Sequence, residues 1–190
     1  MLLGNSRSEV SPPFNSFAFG KTGASVLPRL IPPKEGRERS KEENMSAKYA
    51  GGCSHVHVTS AAEPIDNHEC HCNVCKAVTG QHTTHVAFFN YGDLKVDHPE
   101  KMKRVPFNAQ NPNGPLEICL CTECNAVLLL DDKQKRIRVA VPNVMGYDDA
   151  KFPKASYHAF WDETKGYAAP TDGRPVFSGL RPEFTWPAGA

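Results

Sequence analysis

The sequence predicts a mainly β domain with few, short helices. Short runs of β-branched and aromatic residues recur from Tyr49 onward, and turn sequences such as Asn111-Pro-Asn-Gly114 separate them. No segment shows the long 3.6-residue apolar period of an amphipathic helix. The predicted strands are, in chain order, residues 56–59, 85–89, 94–96, 103–105, 126–130 and 137–141, with 155–161 as a further candidate.

The first 48 residues differ in composition from the rest of the chain. They are rich in Pro, Gly and Ser, hold no Cys, and end in a mixed charged block that would stay solvated. We therefore predict a largely disordered extension over residues 1–48, and one zinc-binding domain with an extended C-terminal tail over residues 49–190. We expect a cytoplasmic protein. A mitochondrial transit peptide is the alternative, because basic residues predominate over 1–34, although Pro12, Pro13 and Pro28 oppose an amphipathic helix.

Charge and hydropathy exclude two classes of partner. The 22 Lys and Arg nearly cancel the 21 Asp and Glu, so the formal net charge is +1. This balance leaves no electrostatic footprint for nucleic acid or an anionic membrane. No apolar run approaches the roughly 20 residues that a membrane-spanning helix needs. We expect no nucleic-acid partner and no membrane partner.

The cysteines indicate metal binding. All seven lie between Cys53 and Cys124, in short C-x-C and C-x-x-C spacings. An odd number of closely spaced cysteines makes a poor disulfide framework and a good zinc framework. Cysteine pairs of this kind also occur in DNA-reading zinc fingers, but the residues after Cys75 offer neither a recognition helix nor a basic cluster.

The outer clusters predict a structural zinc site. Cys121 and Cys124 supply two thiolates from one tight turn, which is half of a tetrahedral site. Cys53 and His55 lie two apart on a strand-like segment, so their side chains point to the same face and complete the set.

The middle cluster predicts a different, catalytic zinc site. Cys70, Cys72 and Cys75 give three thiolates with no fourth Cys beside them. Three protein ligands and one exchangeable position are typical of catalytic zinc. A tris-thiolate zinc is a weak Lewis acid, better suited to receiving a thiol than to making hydroxide. The alternative is a closed structural site in which His68 or His71 is the fourth ligand.

These motifs resemble those of the glutathione-dependent formaldehyde-activating enzyme (GFA) family, which includes CENP-V-type GFA domains. The resemblance extends over roughly residues 49–165 and is most specific in Cys70-His-Cys72-Asn-Val-Cys75-Lys-Ala-Val-Thr-Gly80. Tyr157-His-Ala-Phe-Trp161 is similar to a late His- and Trp-containing strand of the family.

The resemblance implies an Mss4-like fold of several small antiparallel sheets around two zinc ions per chain. It makes Cys53, Cys121 and Cys124 structural ligands, and Cys70, Cys72 and Cys75 the ligands of the zinc that meets glutathione.

The chain departs from the family pattern at two positions. His55 replaces the second Cys of the first pair, and Cys119 and His57 compete with it as the ligand. Asn125 stands where the family usually has Gly, and Asn tolerates a left-handed backbone better than most residues.

We predict a zinc-dependent carbon–sulfur lyase-type enzyme that acts on the adduct of a small-molecule thiol, glutathione or similar, with an aldehyde. His68, Glu69 and His71 are the main acid/base candidates, with His82 and His85 also close in sequence. Two alternatives remain: a different lyase, hydrolase or isomerase reaction on a small metabolite, or a non-catalytic zinc-stabilised interaction module with a fourth protein ligand on the second zinc. A homodimer is left open.

Overall fold

The computed structural model describes residues 47–164 and 166–189. The predicted N-terminal extension lies outside these residues except for its last two positions. Within the described part no helix has the length and apolar character needed to cross a membrane.

The described chain is mainly β, which confirms the predicted fold class. Its strands are β1 (Tyr49–Gly52), β2 (His57–Ser60), β3 (Asp66–Cys70), β4 (Thr84–Asn90), β5 (Lys95–Val96), β6 (Met102–Pro106), β7 (Leu116–Cys121), β8 (Val127–Asp132), β9 (Ile137–Ala140) and β10 (His158–Ala159). Its α-helix is α1 (Asn73–Thr79), and short 3-10 turns cover Pro99–Lys101, Asp149–Lys151 and Trp161–Glu163.

The strands form two sheets. One has the order β1-β2-β5, and the other has the order β10-β3-β4-β9-β8-β7-β6. The pairs are antiparallel apart from β10, which runs parallel to β3 at the end of the larger sheet. This arrangement fits a small Mss4-like fold and adds one parallel pair to the predicted antiparallel sheets.

The predicted strands at 56–59, 85–89, 94–96, 103–105, 126–130 and 137–141 all overlap observed strands. The candidate at 155–161 is reduced to the two residues of β10. The chain turns immediately afterwards, because Phe160 adopts a left-handed backbone with φ 58° and begins the Trp161–Glu163 turn.

The helix α1 is short and closed at both ends. Cys72 is its N-cap, and its Sγ accepts a hydrogen bond from the Cys75 backbone N–H at 3.2 Å. Gly80 ends the helix at φ 70° and donates its N–H to the Lys76 carbonyl. Left-handed residues at this position are usually glycine because a Cβ is strained there. The caps therefore hold Cys72 and Cys75 one helical turn apart.

The core lies where the smaller sheet packs onto β8. Tyr49 of β1 and Val58 of β2 are fully buried, as are Leu128 and Leu129 of β8. Tyr49 also packs against Phe152, with ring centroids 4.4 Å apart. Each fully buried apolar side chain of this size stabilises the fold by about 1.5–3 kcal/mol. The core thus fixes the smaller sheet, and with it the start of the segment that carries Cys53 and His55.

The C-terminal tail, residues 166–189, returns across the larger sheet. It is tied to β10 by backbone hydrogen bonds from His158 to Pro175 and from Phe177 to His158. Further along, the rings of Phe184 and Trp186 both pack against Phe88 of β4, Phe184 in an edge-to-face contact. The tail therefore covers part of the sheet face that carries Phe88.

Candidate metal centres

The first cluster joins the start of the domain to its middle. The ligand atoms of Cys53, His55, Cys121 and Cys124 all lie within 4.8 Å of one another. Cys53 follows β1 in a tight turn closed by a hydrogen bond to the Val56 carbonyl, and Cys121 is the last residue of β7. The structure therefore brings the four side chains of the predicted structural site together. The predicted reason was wrong, because Cys53 and His55 lie in the turn between β1 and β2 and not on a strand.

The turn after β7 places the C-x-x-C pair. Asn125 donates its N–H to the Cys121 carbonyl at 3.0 Å and adopts a left-handed φ of 57°. Asn tolerates this backbone conformation better than most residues and can therefore take the place of Gly. The substitution is thus compatible with a turn that returns Cys124 towards Cys121.

The two competitors for the fourth ligand lie elsewhere. Cys119 is fully buried beside Asp131, and burial raises the pKa of its thiol to about 12. Although it lies two residues before Cys121, its sulfur is not a member of the cluster around Cys121. His57 is engaged by Asp97, with Nδ1 and Oδ2 2.9 Å apart. Among these candidates, His55 is the one that shares a cluster with the three cysteines.

The second cluster lies at the junction of β3 and α1. The sulfurs of Cys70, Cys72 and Cys75 lie within 4.8 Å of one another, and in the described part of the chain no fourth Cys, His, Asp or Glu joins them. Neither His68 nor His71, the alternative fourth ligands, is a member of this set.

The three thiols of this cluster differ in pKa. A hydrogen bond from Cys70 lowers the pKa of Cys72 to about 3, and the same contact raises the pKa of Cys70 to about 12. The pKa of Cys75 is also raised, first by its hydrogen bond to Cys70. Three thiolates this close repel one another, so a bound cation would favour the ionised form of all three. A soft or borderline cation suits such a set of thiolate ligands.

A third cluster was not predicted as a unit. Glu69, His71 and His158 have ligand atoms within 4.8 Å of one another. His71 Nε2 and His158 Nδ1 are 2.9 Å apart, and His158 Nε2 lies 3.2 Å from Asp172. Burial lowers the pKa of His71. His158 could have been suspected only from the late His/Trp segment, because nothing in its local spacing marks it.

Strand β3 divides the predicted acid/base residues between two surfaces. Alternate side chains of a strand point to opposite faces. His68 and Cys70 line an apolar cavity together with Cys72 and Cys75. Glu69 and His71 instead line a groove with His158 and Arg174, into which His82 also projects. His85 lines the adjoining polar groove. Of the five histidine and glutamate candidates, His68 is the one in the cavity that contains the three cysteines.

His68 is held in a buried polar network. Its Nδ1 lies 2.7 Å from Asp66 Oδ2, and the Tyr157 hydroxyl donates to the same oxygen at 2.8 Å. Arg181 of the tail forms an ion pair with the other carboxylate oxygen, with Nε and Oδ1 2.9 Å apart. Asp66 and Tyr157 were not foreseen as site residues. The spacing Asp66-x-His68 was the available signal, but it lies in a strand too polar to be predicted.

The cavity beside the cysteines is almost entirely apolar. Its volume is about 210 Å³. Its walls come from β3, α1, β4, β7, β8, β9 and the tail, and include Val86, Phe88, Leu130, Val139, Phe160, Leu180 and Trp186. The arrangement places three thiols and one oriented imidazole at the edge of a space that can exclude water.

Comparisons with known proteins give the following similarities. The model of a family described as glutathione-dependent formaldehyde-activating enzyme matches residues 48–163. No curated protein matches the chain. Among solved structures the chain is similar to a Rhodobacter sphaeroides protein that was a Northeast Structural Genomics target. The two are 14% identical over 67% of this chain and 98% of that chain, with a TM-score of 0.37.

Proposed function

Because this chain belongs to the glutathione-dependent formaldehyde-activating enzyme family, we propose that it is a zinc-dependent carbon–sulfur lyase-type enzyme. It would make or break the adduct between an aldehyde and a thiol, with glutathione as the thiol that the family suggests. The observation that carries the proposal is the cluster of Cys70, Cys72 and Cys75 at the edge of a cavity that also contains His68.

The donor sets fit zinc at both clusters. Cys53, His55, Cys121 and Cys124 offer four ligand atoms, the number of a closed tetrahedral site. Cys70, Cys72 and Cys75 offer three, which leaves one position for a substrate. When bound there, zinc supplies a positive charge that lowers the pKa of an incoming thiol. The lack of a fourth donor among the described residues favours an enzyme over a purely structural module.

His68 is the residue we assign to proton transfer. When the adduct forms, the thiol loses its proton, sulfur bonds to the carbonyl carbon, and the carbonyl oxygen takes up a proton; breakdown is the reverse. Asp66 engages Nδ1 of His68 at 2.7 Å, so Nε2 is the nitrogen that can exchange a proton with the substrate. Tyr157 and Arg181 hold the Asp66 carboxylate and so fix the ring.

Glu69 and His71 are less suited to proton transfer than His68 in this proposal. They line the neighbouring groove and contact His158 and Arg174 rather than the cavity. A group within hydrogen-bond reach of the reacting atoms is the better acid/base candidate. We therefore rank His68 above the other two predicted residues.

We predict that the purified protein carries about two zinc ions per chain, because its clustered thiols and His55 form two separate donor sets. Elemental analysis under reducing, chelator-free conditions measures this number. A chain that folds fully with one zinc ion or none would contradict the two-site proposal.

We also predict that the second site accepts an external thiol. In cobalt-substituted protein, glutathione should change the cobalt–thiolate absorption, and S-methylglutathione should not, because its methylated sulfur has no proton to lose and cannot become a thiolate. Cysteine tests whether the peptide parts of glutathione matter. An unchanged spectrum with both free thiols would contradict the mechanism and favour the structural alternative.

A further inference from the structure

We propose that the cavity beside Cys70, Cys72 and Cys75 binds the carbon skeleton of an apolar aldehyde of about ring size, so that the preferred substrate is larger and more apolar than formaldehyde. This inference rests on the proposed function and names the substrate class of the same site.

The lining of the cavity selects against charge. Apart from the three cysteines, its polar side chains are His68 and Thr79, and none of its described lining residues is Lys, Arg, Asp or Glu. Moving an ionised group from water into such surroundings without a partner has a large unfavourable transfer free energy. The two carboxylates and the ammonium group of glutathione therefore stay outside, and the part of the adduct inside the cavity is apolar.

The size of the cavity selects against formaldehyde. An apolar cavity of about 150 Å³ in another protein stays dry and binds benzene. The cavity here is about 210 Å³. Formaldehyde, with one carbon, would leave most of this space unfilled and most of its apolar wall without contacts. A benzyl-sized group fills the space and gains those dispersion contacts.

The C-terminal tail builds one wall of the cavity. Leu180 and Trp186 line it, although both lie beyond residues 48–163, the segment that matches the family model. The Arg136 guanidinium carbon lies 4.4 Å from the centre of the Trp186 ring, and Asp132 in turn holds Arg136. A cation over an indole face is a favourable contact. The tail is thus fastened over the cavity by specific interactions.

Phe160 adds a second aromatic wall. It lines the cavity from a left-handed backbone with φ 58°. A bulky residue in this region is an outlier that the surrounding structure must hold in place. Together with Phe88, Phe107 and Trp186, it supplies the aromatic part of a lining that is otherwise mostly aliphatic.

The chemistry of the step does not change with the aldehyde. Sulfur bonds to the carbonyl carbon, the carbon–oxygen double bond becomes a single bond, and the thiol proton moves to the oxygen. No oxidant, reductant or further reactant is needed. The apolar substituent on the carbonyl carbon is the part that the cavity recognises.

The first test measures binding without chemistry. We expect 4-fluorobenzyl alcohol to bind the zinc-loaded full chain with a saturable change in its fluorine NMR signal. Trp186→Ala should weaken this binding by about tenfold, because it removes an aromatic wall. Tyr167→Ala is the matched control: Tyr167 is the other strongly exposed aromatic residue of the tail and does not line the cavity. Absence of saturable binding, or equal weakening by both variants, would overturn the assignment of the cavity.

The second test measures the exchange between free aldehyde and its glutathione adduct by NMR. We expect the protein to accelerate exchange of phenylacetaldehyde more than that of formaldehyde, and we expect Trp186→Ala to abolish the difference. Acceleration of formaldehyde exchange alone would overturn the substrate class and leave the proposed lyase function standing. If neither aldehyde responds and cobalt-substituted protein shows no thiol binding, the proposed function fails. The fluorinated probe then decides whether the cavity binds an apolar ligand.

Discussion

Replacing Cys121 with Ser should unfold the domain. Cys121 shares a cluster with Cys53, His55 and Cys124, and this cluster links the segment after β1 to the end of β7. Structural zinc contributes on the order of 10 kcal/mol to folding, which is comparable to the whole stability of a typical domain. We therefore expect no cooperative thermal transition in Cys121→Ser, and the same in Cys124→Ser, when unfolding is followed by circular dichroism.

Two variants serve as controls for this loss. Cys119→Ala removes a buried thiol from the same strand but outside the cluster, and should cost only about 1–3 kcal/mol. Cys72→Ser should lose thiol binding and activity while keeping much of the fold, because it belongs to the site that we assign to substrate. If Cys72→Ser is as unfolded as Cys121→Ser, the division into a structural and a catalytic site is wrong.

Replacing His68 with Gln should slow adduct exchange by roughly a hundredfold to ten-thousandfold, the usual contribution of a positioned acid/base group. The zinc content and the spectral response of cobalt-substituted protein to glutathione should persist, since His68 is not a member of the cysteine cluster. The measurement is the NMR exchange rate at saturating thiol.

His85→Gln is the matched control for His68. His85 lies on the neighbouring strand β4 and lines the polar groove rather than the apolar cavity. We expect its exchange rate to stay close to that of the unaltered protein. An equal loss in both variants, or full activity in His68→Gln, would assign proton transfer to another residue, with His71 and Glu69 the next candidates.

The cysteine clusters could be predicted because the spacing of candidate ligands is a local property. Two thiols in a C-x-x-C turn are close whatever the rest of the fold does, so Cys121 and Cys124 needed no structure to be paired. Choosing among His55, His57 and Cys119 was different. The spacing to Cys53 favoured His55, but Cys119 and His57 remained competitors until the fold showed which side chain lies beside Cys121.

Strand β3 shows why part of the site was missed. Its sequence Asp66-Asn-His-Glu-Cys70 has little of the β-branched and aromatic content that marks a strand. It forms because β4 and β10 pair with it on either side, and because its polar side chains find partners such as Tyr157 and Arg174. Tyr157 lies 91 residues from Asp66 along the chain, and Arg174 lies 105 residues from Glu69.

The apolar cavity could not be predicted from the sequence either. Its lining residues come from six strands and helices, from loops and from the tail, and many of them individually resemble ordinary core residues. Trp186 is typical: in sequence it lies in a proline-containing tail without periodicity, and only the fold brings it against Phe88 and Arg136.

The alternation along β3 has a consequence for how this protein can change over evolution. Asp66, His68 and Cys70 belong to one face, and Asn67 and Glu69 to the other, so the two surfaces are interleaved letter by letter in one five-residue strand. A slip of one residue in the pairing of a strand exchanges its two faces completely. A single insertion or deletion within β3 should therefore exchange residues between the two surfaces and be selected against, whereas the loop before β3 can absorb a change in its own length. The residue types on the two surfaces can change independently, but the alternation of their positions along β3 must be kept.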